Sequence, residues 1–169
     1  MEGIINMPRN GAFKTHLPNF YVPHSPDAKY IFVARNPKDC CISFFYHTRD
    51  QPGFGYWDGK FDDFLELFMA GELAYNDYFD HLLDWYPHRS DQMSLVFYTT
   101  YEDMKMDIKW ESEDMDFTFT GLNHMYEFNK SLKPPEDLPE FEEVRKGIVG
   151  DWRNHFSVDQ TERLNRKFL

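Results

Sequence analysis

The strongest apolar run in the chain is Lys29–Ala34, in which β-branched and aromatic residues follow one another without polar alternation. A run of this kind predicts a strand buried on both faces of a parallel sheet. A polar turn at residues 35–39 comes next, and Pro37 suits the first turn of a helix that we predict to continue through Tyr46. In α/β folds, ligands bind where a strand gives way to such a turn and helix.

The pattern further along predicts a second strand and further helices. After a loop rich in Gly at residues 51–60, apolar residues at helical spacing predict one helix that ends near Gly71 and another that follows it. A β-rich run at Ser94–Tyr101 predicts the strand, and Glu102 begins a helix with acidic residues at its N-terminus. We expect both helical stripes to face the core: Phe61, Phe64, Leu65 and Phe68 in the first, and Phe79, Leu82, Leu83 and Tyr86 in the second.

Composition favours a packed globule. At 169 residues the chain suits a single domain, residues 1–169, with a sizeable core. A hydrophobic fraction of 41% and an aromatic fraction of 18% argue against disorder. Strands that alternate with helices indicate the α/β class, with a central parallel sheet flanked by helices.

Charge and cysteine usage narrow the setting. The net charge of −11 argues against a general nucleic-acid or anionic-membrane surface, so basic clusters need a local explanation. Cys40 and Cys41 are adjacent, and sequence neighbours rarely meet disulfide geometry. The N-terminus lacks a basic region followed by an apolar core, and no apolar run reaches the roughly 18 residues of a membrane helix. We therefore expect a soluble protein in a reducing, cytoplasmic setting.

Two chain segments carry residues suited to anion chemistry. Near the C-terminus, Arg145 and Lys146 run into Gly147, and Gly150 follows three residues later. An arginine fork matches phosphate oxygens, and the glycines allow positive φ and a concave row of backbone amides, which together would hold a phosphate. The alternative is a solvated basic pair before a turn.

The other segment lies near the N-terminus. Residues 12–18 predict a short strand that ends at a proline, with Lys14 and His16 projecting from the same side. Such a pair could protonate a bridging oxygen and accept a hydroxyl proton, the two proton tasks of group transfer. The alternative is that His16 is an ordinary surface or core histidine.

Four motifs together resemble the cytosolic sulfotransferases. They are Lys-Thr-His-Leu-Pro at residues 14–18, Ala-Arg-Asn-Pro-Lys-Asp at 34–39 with Ser43 beyond it, Tyr-Glu-Asp-Met-Lys at 101–105, and Arg-Lys-Gly-x-x-Gly-Asp-Trp-Arg-Asn-x-Phe at 145–156. The resemblance implies a sulfotransferase-type, P-loop-like α/β fold. It also implies transfer of a sulfuryl group from PAPS (3′-phosphoadenosine 5′-phosphosulfate), without a metal, to a hydroxyl or amine of a small acceptor such as a phenol, steroid or amine, with PAP as product.

By the same resemblance, His16 is the general base on the acceptor and Lys14 donates to the sulfuryl group and its bridging oxygen. Tyr101 would lie beside the adenine, or else be a buried strand-end tyrosine with a structural hydrogen bond. Arg35 would bind the 3′-phosphate, or else form a salt bridge with Asp39 at the helix start. The full set implied for the 3′-phosphate is Arg35, Ser43, Arg145, Lys146 and Gly147.

The C-terminal residues predict a helix and a candidate dimer contact. Ser157 and Gln160 have the spacing of a capping box, which predicts a last helix running to Leu169. The family's dimerisation pattern is Lys-x-x-x-Thr-Val-x-x-x-Glu, and this chain has Arg for Lys and Ser for Thr. The alternative is an ordinary exposed helix entrance. The matching residues are Arg153, Ser157, Val158 and Glu162.

The chain also departs from the family pattern. Residues 106–143 are shorter than the corresponding family segment, and no functional residue can be carried over there. The family's Pro-Lys-Ser-Gly-Thr-Thr-Trp loop, which holds the 5′-phosphosulfate, is absent from this sequence. We therefore expect an N-terminally truncated member whose sheet is incomplete and has an exposed apolar edge.

Two other interpretations remain. One is a catalytically inactive splice or gene-model fragment that keeps part of the nucleotide site and dimerises with a full-length relative. The other is a different nucleotide-phosphate enzyme such as a kinase, which the lack of a Walker loop and of an Asp-rich metal motif disfavours. Three aromatic residues of the 51–60 loop could form the wall of an acceptor pocket or simply pack on the core: Phe54, Tyr56 and Trp57.

Overall fold

The computed structural model describes residues 14–90, 95–106 and 146–167. The chain divides into two compact units: residues 1–16 with 107–140, and residues 17–106 with 141–169. In the first unit, residues 14–16 have no regular secondary structure, and neither do Leu17 and Pro18 in the second. The prediction of a strand over residues 12–18 is therefore wrong in its described part. A strand needs a ladder partner, and the two strands of the described sheet pair with each other rather than with this segment.

The second unit contains a parallel pair of strands, which confirms the predicted α/β class. Strand β1, Lys29–Ala34, pairs with β2, Leu95–Thr100, in a register that runs from Lys29 opposite Leu95 to Ala34 opposite Thr100. The described helices are α1 (Pro37–Asp50), α2 (Phe61–Ala70), α3 (Tyr78–Trp85), α4 (Tyr101–Met106) and α5 (Val158–Lys167). Short 3₁₀ helices lie at Asn19–Tyr21, Pro52–Phe54, Tyr86–Ser90 and Asp151–Asn154. Along the described ranges, no helix has the length and apolar character needed to cross a membrane.

Local signals explain where the helices begin and end. The Asn36 side chain caps α1 by accepting from the Lys38 amide at 3.0 Å, and Pro37 fills the first helical position. Helix α1 runs one turn beyond the predicted end, to Asp50. Helix α2 ends at Gly71, which has a φ of 72°, as predicted from the glycine.

The capping box of α5 is confirmed. The Ser157 hydroxyl accepts from the Gln160 amide at 3.2 Å, and the Gln160 side chain accepts from the Ser157 amide at 2.9 Å. The predicted helix end at Leu169 lies outside the described residues. The first turn of α5 contacts α2, because the Gln160 side-chain amide donates to Asp62 at 2.7 Å.

Two hydrophobic clusters form the core of the second unit. The larger joins α1, α2, α3 and α5 through the buried residues Cys41, Phe45, Phe64, Leu65, Phe68, Phe79 and Leu164. In the second helical stripe, however, Leu83 is 68% exposed and Tyr86 is 47% exposed. The prediction that the whole stripe faces the core is therefore wrong for these two residues, because the described core contacts α3 mainly through Phe79 and Trp85.

The smaller cluster covers one face of the sheet. It consists of Val22, Phe32, Ala34, Trp85 and Val96. On the opposite face, Ile31, Val33 and Phe97 are between 37% and 43% exposed. The prediction that β1 is buried on both faces is therefore wrong. Val22, after the first 3₁₀ helix, and Trp85 of α3 pack on the side of Phe32.

Candidate anion-binding site

The turn after β1 is held in place by two other elements. The Tyr78 hydroxyl of α3 donates to the Arg35 carbonyl and accepts from the Arg35 amide at 3.2 Å. Burial raises the pKa of Tyr78, so the hydroxyl keeps its proton and can donate. The Glu102 carboxylate of α4 accepts from the Asn36 amide at 2.9 Å. The backbone that presents Arg35 is therefore fixed before any ligand binds.

The Arg35 guanidinium lies on an aromatic ring and has an N–H group without a hydrogen-bond acceptor. Its Cζ lies 4.3 Å from the centroid of the Tyr101 ring. Its Nε is buried and has no hydrogen-bond partner among the described residues. No ion pair joins Arg35 to Asp39, so the salt bridge considered for this pair is not formed. A buried cationic donor without an acceptor is suited to an anionic ligand.

Gly147 lies beside this arginine–tyrosine pair. Gly147 has a φ of 62° and Gly150 a φ of 85°, which confirms the predicted positive φ at both positions. A Cβ atom on Gly147 would lie 3.1 Å from the Lys105 ammonium and 3.7 Å from the Tyr101 hydroxyl. The structure therefore brings the Gly147 backbone to the same place as Tyr101, on whose ring Arg35 lies.

Asp39 connects the glycine turn to α1. Its side chain is almost fully buried, and the two carboxylate oxygens accept from the amides of Gly150 at 2.7 Å and Trp152 at 3.0 Å. A second contact supports the first, because the Lys38 ammonium lies 4.5 Å from the centroid of the Trp152 ring. Ser43 is one helical turn beyond Asp39, so it lies on the same face of α1.

A second buried carboxylate organises the following 3₁₀ helix. Asp151 accepts from the Asn154 side chain at 3.0 Å and lies 3.3 Å from the His155 ring nitrogen. Lys146 reaches the same carboxylate at 3.4 Å, while its side chain is about half exposed. Asp151 thus contacts residues on both sides of it in the chain, Lys146 before it and Asn154 and His155 after it.

The predicted residues fall into three groups. Arg35, Tyr101 and Gly147 are brought together in the second unit. Lys146 precedes Gly147 in the chain, and Ser43 lies on the face of α1 that carries Asp39. Arg145 lies outside the described residues. Lys14 and His16 belong to the first unit, so their proposed roles stay predictions.

Sequence reasoning missed four residues that build this site: Asp39, Tyr78, Glu102 and Lys105. Glu102 and Lys105 stand inside the Tyr-Glu-Asp-Met-Lys motif, and Asp39 ends the Ala-Arg-Asn-Pro-Lys-Asp motif, so their position in a motif was a usable signal. Tyr78 had no local signal, because its contact with Arg35 spans 43 positions.

The aromatic loop contributes less than its sequence suggested. The Tyr56 ring packs against Phe64 of the core, with ring centroids 5.9 Å apart, and its hydroxyl donates to the Lys60 carbonyl. Trp57 is 73% exposed and Phe54 is 39% exposed. Tyr56 therefore packs on the core, while the rings of Phe54 and Trp57 are accessible.

Comparison with known proteins agrees with these motifs. The sulfotransferase domain family matches residues 2–168. Sulfotransferase 1 family member D1 of Rattus norvegicus is 31% identical over 195 residues, which cover 100% of this chain and 64% of the relative. Amine sulfotransferase of Oryctolagus cuniculus is also 31% identical, with coverages of 98% and 62%. The chain thus spans less than two thirds of the length of these relatives.

A solved structure of a sulfotransferase also matches this chain. The crystal structure of mouse sulfotransferase SULT7A1 complexed with PAP superposes with a TM-score of 0.63 at 31% identity. The match covers 83% of this chain and 56% of that chain. The fold described above is therefore that of part of a sulfotransferase.

Proposed function

Because this chain belongs to the sulfotransferase family, we propose that it binds PAPS and transfers the sulfuryl group to a hydroxyl or amine of a small acceptor. The observation that carries the proposal is the buried Nε–H of Arg35, which has no hydrogen-bond acceptor among the described residues. The Arg35 guanidinium lies on the Tyr101 ring, beside the positive-φ backbone of Gly147. The mouse relative that superposes on this chain was crystallised with PAP, which supports the same choice of nucleotide.

The described residues fit a nucleotide 3′-phosphate. Arg35 would donate its free Nε–H, the Gly147 amide would approach the phosphate without a side chain in the way, and Lys146 would neutralise charge. Ser43 would add a hydroxyl donor from α1, and we place Arg145 in the same group by its position in the motif. The Tyr101 ring would lie beside the adenine.

Two residues of the first unit would carry the proton chemistry. We assign His16 to take the proton of the acceptor hydroxyl while the acceptor oxygen bonds to sulfur. Lys14 would stabilise negative charge on the bridging oxygen as its bond to sulfur breaks. PAPS supplies the activated sulfuryl group and leaves as PAP. Phenols, steroids and amines are the proposed acceptors, and two free cysteines, Cys40 and Cys41, fit a reducing cytoplasm.

Nucleotide binding tests the first half of the proposal. Calorimetric titration of the full chain with PAP should show binding, and Arg35→Ala should weaken it by about tenfold to a hundredfold, as expected when one charge-assisted hydrogen bond is lost. Arg166→Ala removes the same charge from an exposed position on α5 and should leave binding unchanged. Equal affinity in both variants, or no binding by the folded chain, would contradict the site.

A transfer assay tests the second half. With PAPS and a panel of phenols, steroids and amines, the unmodified chain should form sulfated product, and His16→Ala should not. Binding of PAP without transfer by the unmodified chain would favour the alternative of an inactive chain that keeps a nucleotide site.

We also propose a homodimer through Arg153, Ser157, Val158 and Glu162. Val158 supports it, because this apolar residue is 77% exposed at the start of α5, with Glu162 one turn further on. Light scattering should show a dimer that Val158→Glu converts to a monomer. Leu83→Glu places the same charge on another exposed apolar residue and should keep the dimer. A monomeric unmodified chain would exclude this contact.

A further inference from the structure

We propose that Asp39 is a positioning residue that joins the two halves of the proposed 3′-phosphate site, so that the preference for a nucleotide with a 3′-phosphate depends on it. One half is the end of β1 and the start of α1, with Arg35 and Ser43. The other half is the glycine turn, with Lys146 and Gly147. The inference rests on the proposed function and adds a residue that the nucleotide does not have to touch.

The first argument is the geometry of the carboxylate. Asp39 is 3% exposed, and its two oxygens accept from the backbone amides of Gly150, in the glycine turn, and of Trp152, in the 3₁₀ helix that follows it. The bond to Gly150 spans 111 positions of the chain, so Asp39 joins elements that are far apart in sequence. Hydrogen bonds to an ionised acceptor are short and strong, and a buried carboxylate with two such donors is held rigidly.

The second argument is the weak packing of the turn itself. Between the two glycines stand Ile148, 53% exposed, and Val149, 45% exposed. These two residues keep about half of their surface exposed, and the glycines have no side chain to bury. The Asp39–Gly150 hydrogen bond therefore holds the turn itself on α1. The Asp39–Trp152 bond, the Lys38–Trp152 contact and the Tyr46–His155 ring contact join the same helix to the residues that follow the turn.

The consequence concerns the spacing of the phosphate donors. Gly147 precedes Gly150 by three residues, and its backbone lies beside Tyr101 and Lys105. If the turn were released from α1, the Gly147 amide would move relative to Arg35, and the two halves would no longer converge on one phosphate. Ligands without a 3′-phosphate do not need this convergence, so their affinity should not change.

The test compares two nucleotides. We expect the unmodified chain to bind PAP more tightly than adenosine 5′-phosphate, which lacks the 3′-phosphate. Asp39→Asn keeps the size of the side chain but replaces one acceptor oxygen with a donor that faces an amide. It should reduce the preference for PAP by about tenfold to a hundredfold, with adenosine 5′-phosphate affinity unchanged. Asp50→Asn, at the exposed end of the same helix, should keep the full preference.

The outcomes separate the two proposals. If the unmodified chain shows no preference for PAP, the proposed function fails. If it shows the preference and folded Asp39→Asn retains it, the role of Asp39 is overturned while the proposed function stands. Equal weakening of both nucleotides also overturns the role, since it would indicate general structural damage. Should circular dichroism show that Asp39→Asn is unfolded, Asp39→Glu is measured by the same ratio, and an unchanged ratio again overturns the role.

Discussion

At the scale of single residues, Gly147 combines a backbone requirement with a contact requirement. Its φ of 62° lies in the left-handed region, and a Cβ atom would come within 3.1 Å of the Lys105 ammonium. Gly147→Ala should therefore lower the free energy of unfolding by about 1 kcal/mol, because a side chain disfavours this conformation. It should also weaken PAP binding, because Lys105 has to move. Urea denaturation and calorimetry measure the two effects.

Gly53→Ala is the matched control for this prediction. A Cβ atom on Gly53 would meet no atom within 4 Å, and Gly53 has no positive φ. Its stability and PAP affinity should stay close to those of the unmodified chain. If Gly147→Ala behaves like Gly53→Ala in both measurements, the left-handed glycine is not required for the turn.

At the scale of elements, the sequence predicted features whose signals are local. The cap of α1 at Asn36, the end of α2 at Gly71 and the capping box of α5 each depend on residues within one or two turns of each other. The two strands were found for the same reason, because an apolar run is visible in the sequence alone. Element type and boundaries therefore agree well in these segments.

Burial was harder to predict, because it depends on distant elements. Ile31 and Val33 of β1 are as apolar as a doubly covered strand requires, yet the described elements cover only the Phe32 face. Leu83 has the spacing of a core residue but points away from the cluster that buries Phe79. Apolar periodicity predicts which residues can be buried, and tertiary contacts decide which are.

The same distinction applies to the candidate site. The motifs identified Arg35, Tyr101 and Gly147, which the structure places together. The residues that hold their backbone in place act across 43 positions for Tyr78 and 111 for Asp39. No spacing rule within a short window could reveal those partners, so the support of the site became visible only in three dimensions.

At the scale of the whole molecule, acid should lower stability in two ranges of pH. Burial lowers the pKa of His81 below its ordinary value of 6.5, against the opposing effect of Asp84. The unfolded chain then binds more protons than the folded one, so stability falls as pH drops below 6.5 through the folded pKa. A hydrogen bond from Arg163 lowers the pKa of Glu66 below 4.5, so a further loss follows as pH falls below that value.

The first of these losses can be assigned to His81 by mutation. Urea denaturation at about pH 7.5 and about pH 5.5 should show lower stability at the acid value for the unmodified chain. His81→Gln removes the titrating group from α3, where its ring lies 5.6 Å from the Phe32 ring, so much of that difference should disappear. Leu83→Ala changes an exposed residue of the same helix and should keep the difference. If His81→Gln keeps the difference as well, the loss arises from other groups, because the variant no longer has the half-buried imidazole whose protonation would cause it.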